Sequence, residues 1–472
     1  MQRKYFWGSI GSLLTLSCLF TYFTLDPYHA WGGDFALYLL QTQSLAEGNT
    51  HQLLQENAYA MDHSEIVLGP HLYPPGFPLL LFPSYWVNGL NLYTLKFILL
   101  GSFLLFQIVL IGYFRKELSH SSFLLFLSLF SLNPWLIRYC DFILSDIPFL
   151  LVCTLSLSLI RGFYVSDTSL LSSILLGASM AFAYMIRTVG IVLLGTFVAI
   201  WILKKLSHNN LPIRQFHPLI SLVSFLLIGS IGELSYPSGH ISYLSYLYPY
   251  EPRIILDNLF TYFMLPRVHL GVLSWGVYVF FLPLCLWGIV KNWRRFQPEI
   301  TFMVLYTLTL LIWPFTDGLR FVFPLLPFAL LFSILGLEKL LATVLKAYSR
   351  RVFIKIILPM GIILLLMGCI YNVSRDFPAD PKGKVNNPES RELFSFIREN
   401  TSQETQIAFF RPRILRLFTR RTGIALKGPE SLSHSPVDMW IQPTFLETIQ
   451  VPADFTLIFS NKEFQVFAIE DS

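Results

Sequence analysis

Long apolar runs separated by short polar breaks dominate the chain up to about residue 371. A membrane-crossing helix needs roughly 20 consecutive apolar residues. On that measure the pattern predicts about eleven transmembrane helices, at about 5–25, 92–114, 122–138, 146–160, 169–186, 189–203, 217–232, 271–290, 300–315, 320–337 and 353–371. A loop of roughly 35 residues rich in Tyr, Pro and Ser follows the seventh run. The stretch 26–90, between the first two runs, is mixed in character. Within it lies WGGDFALYLLQTQSLAEGN (31–49), where Leu37, Leu40, Leu45 and Ala46 recur at helical spacing. That predicts a short amphipathic helix at a membrane surface, with Asp34 and Tyr38, four apart, on one face. Residues 78–90 predict a second interfacial helix.

Beyond about residue 375 the pattern changes. A polar linker runs to Pro388, and then ESRELFSFIREN reads as an amphipathic helix. TQIAFF, FTLIFS and FQVFAI read as strands, and RPRILRLFTRR as a basic helix with a solvated or lipid-facing surface. The expected organisation is therefore a transmembrane unit over 1–374, with its first outer loop at 26–90, and a small soluble α/β domain over 375–472.

Composition agrees with this pattern. The chain is 54% hydrophobic, 16% aromatic and 13% charged, with a mean hydropathy of +0.56. A soluble domain carries about 25% charged residues, so the fold class is an α-helical polytopic membrane protein. The net charge of +5 comes from short basic clusters between the apolar runs, a pattern that suits membrane orientation and not nucleic-acid binding. Arg3-Lys4, Arg115-Lys116, Arg161, Lys204-Lys205, Lys291 with Arg294 and Arg295, and Arg350-Arg351-Lys355 all fall on one side of this threading. The positive-inside rule then puts the amino end in the cytoplasm and the carboxyl-terminal domain outside, and the expected location is a plasma (inner) membrane. No small-x-small cleavage site follows the first run, which reads as an uncleaved helix. The five cysteines form no CxxC pair and read as buried small hydrophobes.

The threading leaves Asp34, Lys96, Arg138, Asp141, Asp146, Arg187, Asp317 and Arg320 near the outer surface with no basic cluster to explain them. Any one of them is an ordinary interfacial anchor or half of an ion pair, and Asp34 after Gly32-Gly33 also suits a helix cap. Ionisable groups at membrane depth tend to face a cavity or each other, so the set together predicts one hydrated cavity. The mixture of signs suits group transfer from a phosphate-linked donor. A carboxylate takes a hydroxyl proton while cations stabilise the departing phosphate.

These residues resemble the GT-C superfamily of polyprenyl-phosphate-dependent glycosyltransferases, in the branch of protein O-mannosyltransferases and lipid A aminoarabinose transferases. The similarity is carried in order by Asp34 and Tyr38 with LAEGN, YPPGFPLLL (73–81), SDIPF (145–149), YMIRTVG (184–190) and LRFVFPLLP (319–327). It covers about 1–337, and the segment from IRENTSQETQIAFF onward is similar to the outer tail domain of bacterial members. The resemblance implies a GT-C-like membrane fold and inverting transfer of a sugar from a polyprenyl phosphate to an acceptor hydroxyl on a glycan, lipid or protein. It implies Asp34 as catalytic base and Asp146 as a second acid orienting acceptor or base. Lys96, Arg187 and Arg320 would hold the donor phosphate, with Tyr38 supporting Asp34.

One departure is Phe35, where many members carry Glu after the catalytic Asp. It weakens the case for a two-carboxylate or metal-bearing site. His63 and His71 lack a spaced third ligand, so no cofactor is assigned, with a divalent cation left open. A lipid-linked-sugar transporter or flippase is one alternative, although it would predict repeat symmetry and polar groups across the bilayer depth. A non-catalytic scaffold of the same fold is the other.

Overall fold

The computed structural model describes residues 3–165, 169–206, 216–235, 251–270, 274–316, 318–345, 353–376, 381–427, 437–445, 451 and 455–469. Asp317, Arg350 and Arg351 lie outside these residues. Among the described residues, seven helical segments are long and apolar enough to cross a membrane: Lys4–Thr24, Leu92–Phe114, His120–Tyr139, Asp146–Tyr164, Thr188–Leu206, Gly318–Val344 and Lys355–Arg375. Four further apolar helices at expected positions are shorter: Leu170–Ile186, His217–Gly232, Val277–Asn292 and Gln297–Ile312.

The first span is α1 (Arg3–Thr24), and three helices follow before the second: α2 (Gly33–Glu47), α3 (Thr50–Asp62) and α4 (Gly76–Asn88). The bundle continues through α5 (Leu92–Phe114), α6 (His120–Ser131), α7 (Pro134–Tyr139), α8 (Asp146–Val165), α9 (Leu170–Ile186), α10 (Ile191–Leu206), α11 (His217–Ser235) and α12 (Arg253–Leu270). After α13 (Ser274–Gly276) and a π turn come α14 (Leu282–Asn292), α15 (Gln297–Ile312), α16 (Leu326–Leu345) and α17 (Leu358–Asp376). Helix α9 packs along α11, α14 along α16, and α5 along α8.

Three expectations are corrected here. The run at 122–138 is two helices, because Pro134 cannot continue the first and the Asn133 side chain accepts the Trp135 and Leu136 amides to start the second. The long loop after the seventh run contains α12, an 18-residue helix with Pro266 inside it. Helix α2 is not a surface amphipathic helix: Phe35–Thr42 and Ser44 are all buried. Helix α4 covers one side of it, and a helix of the carboxyl-terminal domain covers another.

That domain opens with α18 (Pro388–Asn400) and contains α19 (Pro412–Thr419). Among the described residues its five strands are β1 (Ile407–Phe409), β2 (Gly423–Ile424), β3 (Met439–Pro443), β4 (Phe455–Ser460) and β5 (Phe464–Ile469). They form one sheet in the order β2-β1-β3-β5-β4, with β1 parallel to both neighbours and β5 antiparallel to both of its own. Strands β2 and β3 were not anticipated, the first because it has two residues and the second because it ends in Gln-Pro.

The basic helix α19 is neither solvated nor lipid-facing. Ile414, Leu415 and Leu417 are buried, Arg416 pairs with Glu56 of α3, and Arg420 Nη2 lies 2.7 Å from Glu47 of α2. Its charges dock the domain. Lys384 adds a 2.6 Å contact to Asp26, and His29 and Val385 exchange backbone hydrogen bonds. Trp31 enters an aromatic cluster, with ring centroids 5.1 Å from Phe410, 5.9 Å from Phe409 and 5.8 Å from Phe464. Aromatic pairs at such separations add to the burial energy.

Candidate active site

Asp34 sits in the first turn of α2, two residues past the Gly32 cap, and the cap makes no side-chain bond. The capping role for Asp34 therefore fails. Its carboxylate, favoured there by the helix dipole, accepts the Tyr73 hydroxyl at Oδ1 (2.7 Å) and Arg320 Nη2 at Oδ2 (2.9 Å). Asp34, Tyr38 and Gln41 follow an i, i+4, i+7 spacing that lines one helix face. All three engage Tyr73. Gln41 brackets its backbone, donating to the carbonyl (2.7 Å) and accepting from the amide (3.0 Å), and Tyr38 stacks on its ring at 4.5 Å. Tyr38 itself hydrogen-bonds Ser145 Oγ at 2.9 Å, so it supports Asp34 through Tyr73.

Arg187 caps α9 in an extended conformation (φ −148°, ψ 130°), after which the chain folds back through a 3₁₀ turn, Thr188–Gly190. Gly190 makes that fold possible, since a Cβ there would stand 2.5 Å from the Ala183 carbonyl carbon. Gly76 lets α4 approach the same place, its would-be Cβ 2.7 Å from the Met185 backbone. The Arg187 guanidinium pairs with Asp146 and lies 5.1 Å from the Phe321 ring centroid. Arg320 comes from the 3₁₀ segment Gly318–Leu325, and its Nε is 3.4 Å from Asp146 Oδ1.

These elements enclose a cavity of about 670 Å³ lined by Asp34, Tyr38, Tyr73, Arg187, Tyr306 and Arg320. Val189, Ile191, Leu310, Trp313 and Phe315 make an apolar flank, and Ile66–Pro70 with Phe410–Arg413 close it from the carboxyl-terminal domain side. Burial alone would raise the Asp34 pKa. The Arg320 charge and the Tyr73 and Arg320 hydrogen bonds outweigh burial and hold the carboxyl below its ordinary value. Burial pushes Tyr38 up to about 12 and Tyr73 well above the ordinary phenol range, so both hydroxyls keep their protons.

Two placements differ from the sequence expectation. Asp146 is 2% exposed and does not line the cavity. It stands behind Arg187 and Arg320, in contact with both guanidiniums, and not at the cavity surface where an acceptor would be oriented. Lys96 lies away from the cavity, fully buried on α5. Its ammonium contacts the Asp26 carbonyl (2.9 Å) and Oδ1 (3.2 Å), the Tyr28 carbonyl (2.7 Å) and Asp141 Oδ1 (2.6 Å). An ammonium has three donors, and these acceptors occupy them, so no capacity is left for a donor phosphate. The outer-face charges thus split into a cavity set and a buried structural set containing Lys96 and Asp141. Arg138, in the last turn of α7, has no carboxylate partner among the described residues.

Sequence reasoning missed Tyr73 as a partner of Asp34, although it heads the Tyr-Pro-Pro run, and missed Arg411 and Arg413, set aside with the basic helix. Phe35 is buried and stacks on His29 at 3.8 Å, so the second-carboxylate position is spent on packing. Among the described residues no three His, Cys, Asp or Glu side chains gather as metal ligands. Asp34 and Asp146 face guanidiniums, a donor set that suits an anion better than a cation.

No protein-family model and no curated protein matches the sequence. Among solved structures, the fold is similar to that of ArnT from Cupriavidus metallidurans in the apo state, with 13% identity and a TM-score of 0.61, covering 98% of each chain. The same protein bound to undecaprenyl phosphate matches with 13% identity and a TM-score of 0.59, again over 98% of each chain. The archaeal oligosaccharyltransferase AglB from Archaeoglobus fulgidus, in complex with an inhibitory peptide and a dolichol-phosphate, matches at 11% identity and a TM-score of 0.58. That match covers 94% of this chain and 70% of the other. The shared architecture is the GT-C fold, which in this chain is a helical body carrying a small sheet domain at its carboxyl end.

Proposed function

We propose that this chain, built on the GT-C fold, is an inverting glycosyltransferase that moves a sugar from a polyprenyl phosphate to an acceptor hydroxyl at the outer face of the membrane. The observation that carries the proposal is the ion pair of Asp34 with Arg320, inside a cavity that also holds Arg187 and has an apolar flank. A polyprenyl chain would lie along Val189, Ile191 and Trp313, with its phosphate at Arg320 and Arg187. Binding of the phosphate would draw Arg320 from Asp34 and so raise the basicity of the carboxylate. Asp34 then accepts the acceptor's hydroxyl proton, and the oxygen forms its bond to the anomeric carbon from the face opposite the phosphate. The carbon–phosphate oxygen bond breaks, and its electron pair leaves with polyprenyl phosphate, whose added negative charge the arginines stabilise. Asp146 keeps both guanidiniums aimed at that oxygen. The three-dimensional neighbours that bind undecaprenyl phosphate and dolichol-phosphate support this donor class.

Purified full-length protein in lipid nanodiscs, supplied with undecaprenyl-phosphate-linked sugars and a membrane extract as acceptor source, tests the reading. Release of undecaprenyl phosphate that depends on Asp34 is the expected result. Donor left intact across the panel, or translocated unchanged, would favour the scaffold or flippase alternatives instead.

A further inference from the structure

Helix α15 stops where its sequence forces it to. Residues 312–315 are Ile-Trp-Pro-Phe, and Pro314 has no amide proton to give the Leu310 carbonyl four residues back. Proline also drives the residue before it into extended backbone, and Trp313 stands at φ −77°, ψ 129°. The last carbonyls of α15 therefore lose their helical partners. A side chain of α12 meets them. Asn258 Nδ2 lies 2.6 Å from the Trp313 carbonyl, 3.0 Å from that of Leu311 and 3.3 Å from that of Leu310. Asn258 is 5% exposed, whereas Leu256, Leu259 and Phe260 around it are largely exposed. A helix that turns large apolar side chains outward and an amide inward is arranged for hydrocarbon surroundings. There an inward polar group is costly unless it bonds to a partner.

We propose that Asn258 is a positioning residue for the donor site. By gathering the three carbonyls it sets the direction in which the chain leaves α15, and so holds Trp313 in the apolar flank of the cavity. Leu310, Trp313 and Phe315 all line that flank, with the Trp313 and Phe315 ring centroids 6.2 Å apart. Asn258 itself does not line the cavity and acts through the backbone of residues 310–313. A wall fixed before the ligand arrives lowers the ordering cost of binding a long flexible chain. The inference rests on the reading of this flank as the seat of a polyprenyl chain. It gives α12, which lies outside the cavity, a part in holding that chain.

The test is a thermal-shift titration of the full-length protein in detergent with undecaprenyl phosphate and with methyl phosphate, the same headgroup without a chain. Asn258→Ala should weaken undecaprenyl phosphate binding by about tenfold, the scale of a buried hydrogen bond lost from one side. The same variant should leave methyl phosphate affinity within about twofold, which also shows that it is folded. Should Asn258→Ala not fold, Asn258→Gln, with its amide one carbon further out, should show the same selective loss at a smaller scale. Trp313→Ala should lose undecaprenyl phosphate selectively as well. The double variant should bind it no more than about twofold worse than the weaker single, because the two residues act as one unit. Equal losses for both phosphates, additive losses in the double variant, or unchanged undecaprenyl phosphate affinity in Asn258→Ala would each overturn the positioning role. Wild-type protein that binds methyl phosphate and not undecaprenyl phosphate would instead remove the donor reading, and this inference with it.

Discussion

Arg320 Nη2 lies 2.9 Å from Asp34 Oδ2, joining residues 286 positions apart. The pair ties the amino-terminal helices to the 3₁₀ segment that leads into α16, in the wall of the cavity. In the mechanism proposed above, the carboxylate is held ready until an anion claims its partner.

Replacing Asp34 by Asn keeps the shape and most hydrogen bonding but removes the proton acceptor. Sugar transfer should fall by about 10²- to 10⁴-fold, the usual contribution of a positioned base. Binding of undecaprenyl phosphate, measured on the same preparation, should be retained. A folded variant turning over at near-wild-type rate would show that the base lies elsewhere.

Arg320 and Tyr73 together hold the Asp34 pKa below its ordinary value of 3.8. A depressed carboxyl pKa adds stability that is complete above the unfolded value and is lost as pH falls through the lower folded value. The ionised base should therefore persist in free enzyme to below about pH 4, wherever the protein stays folded. In Tyr73→Phe and Arg320→Gln the lowering influence is reduced. The acid limb of the kcat/KM profile should move to higher pH in both, further for Arg320→Gln. An unmoved limb would separate this carboxyl from the titrating group.

Lys96 is fully buried among two carboxylates and two carbonyls. Lys96→Met should cost about 3–5 kcal/mol, the range for breaking a buried ion pair from one side. The measurement is thermal unfolding of the detergent-solubilised protein. Adding Asp141→Asn should return part of the loss, because Asp26 keeps Lys384. If the folded double variant loses undecaprenyl phosphate affinity, Lys96 belongs to the donor site after all.

A methyl group at position 190 would meet the Ala183 backbone. Gly190→Ala should lower stability by about 1–3 kcal/mol, as overpacking does, and the shift should reach Arg187. Weaker undecaprenyl phosphate binding at temperatures where the variant is folded would register that displacement.

Much of this site was legible in the sequence because charge in an apolar chain needs a reason. Asp34, Arg187 and Arg320 stood out for that cause, and the structure brings them to one cavity. Lys96 stood out equally and is a structural ion, because sequence position reports depth in the membrane and not which neighbour satisfies a charge. Tyr73 was hidden in a Pro-rich loop, where its role depends on a fold-back set by Gln41. Arg411 and Arg413 were hidden by composition, since a run with five arginines reads as surface until Ile414, Leu415 and Leu417 show which face is buried. The helix count was least secure. Pro134 splits one run, and α12 lies in a stretch whose Tyr, Pro and Ser content reads as loop.

Trp31, three residues before Asp34, is wedged among Phe409, Phe410 and Phe464 of the carboxyl-terminal domain. A chimera joining this membrane body to a foreign tail would leave that indole without its socket and slacken the turn that delivers the carboxylate. Anyone exchanging tails between relatives to alter substrate range should therefore transplant residues 29–33 with them, as one mechanical unit.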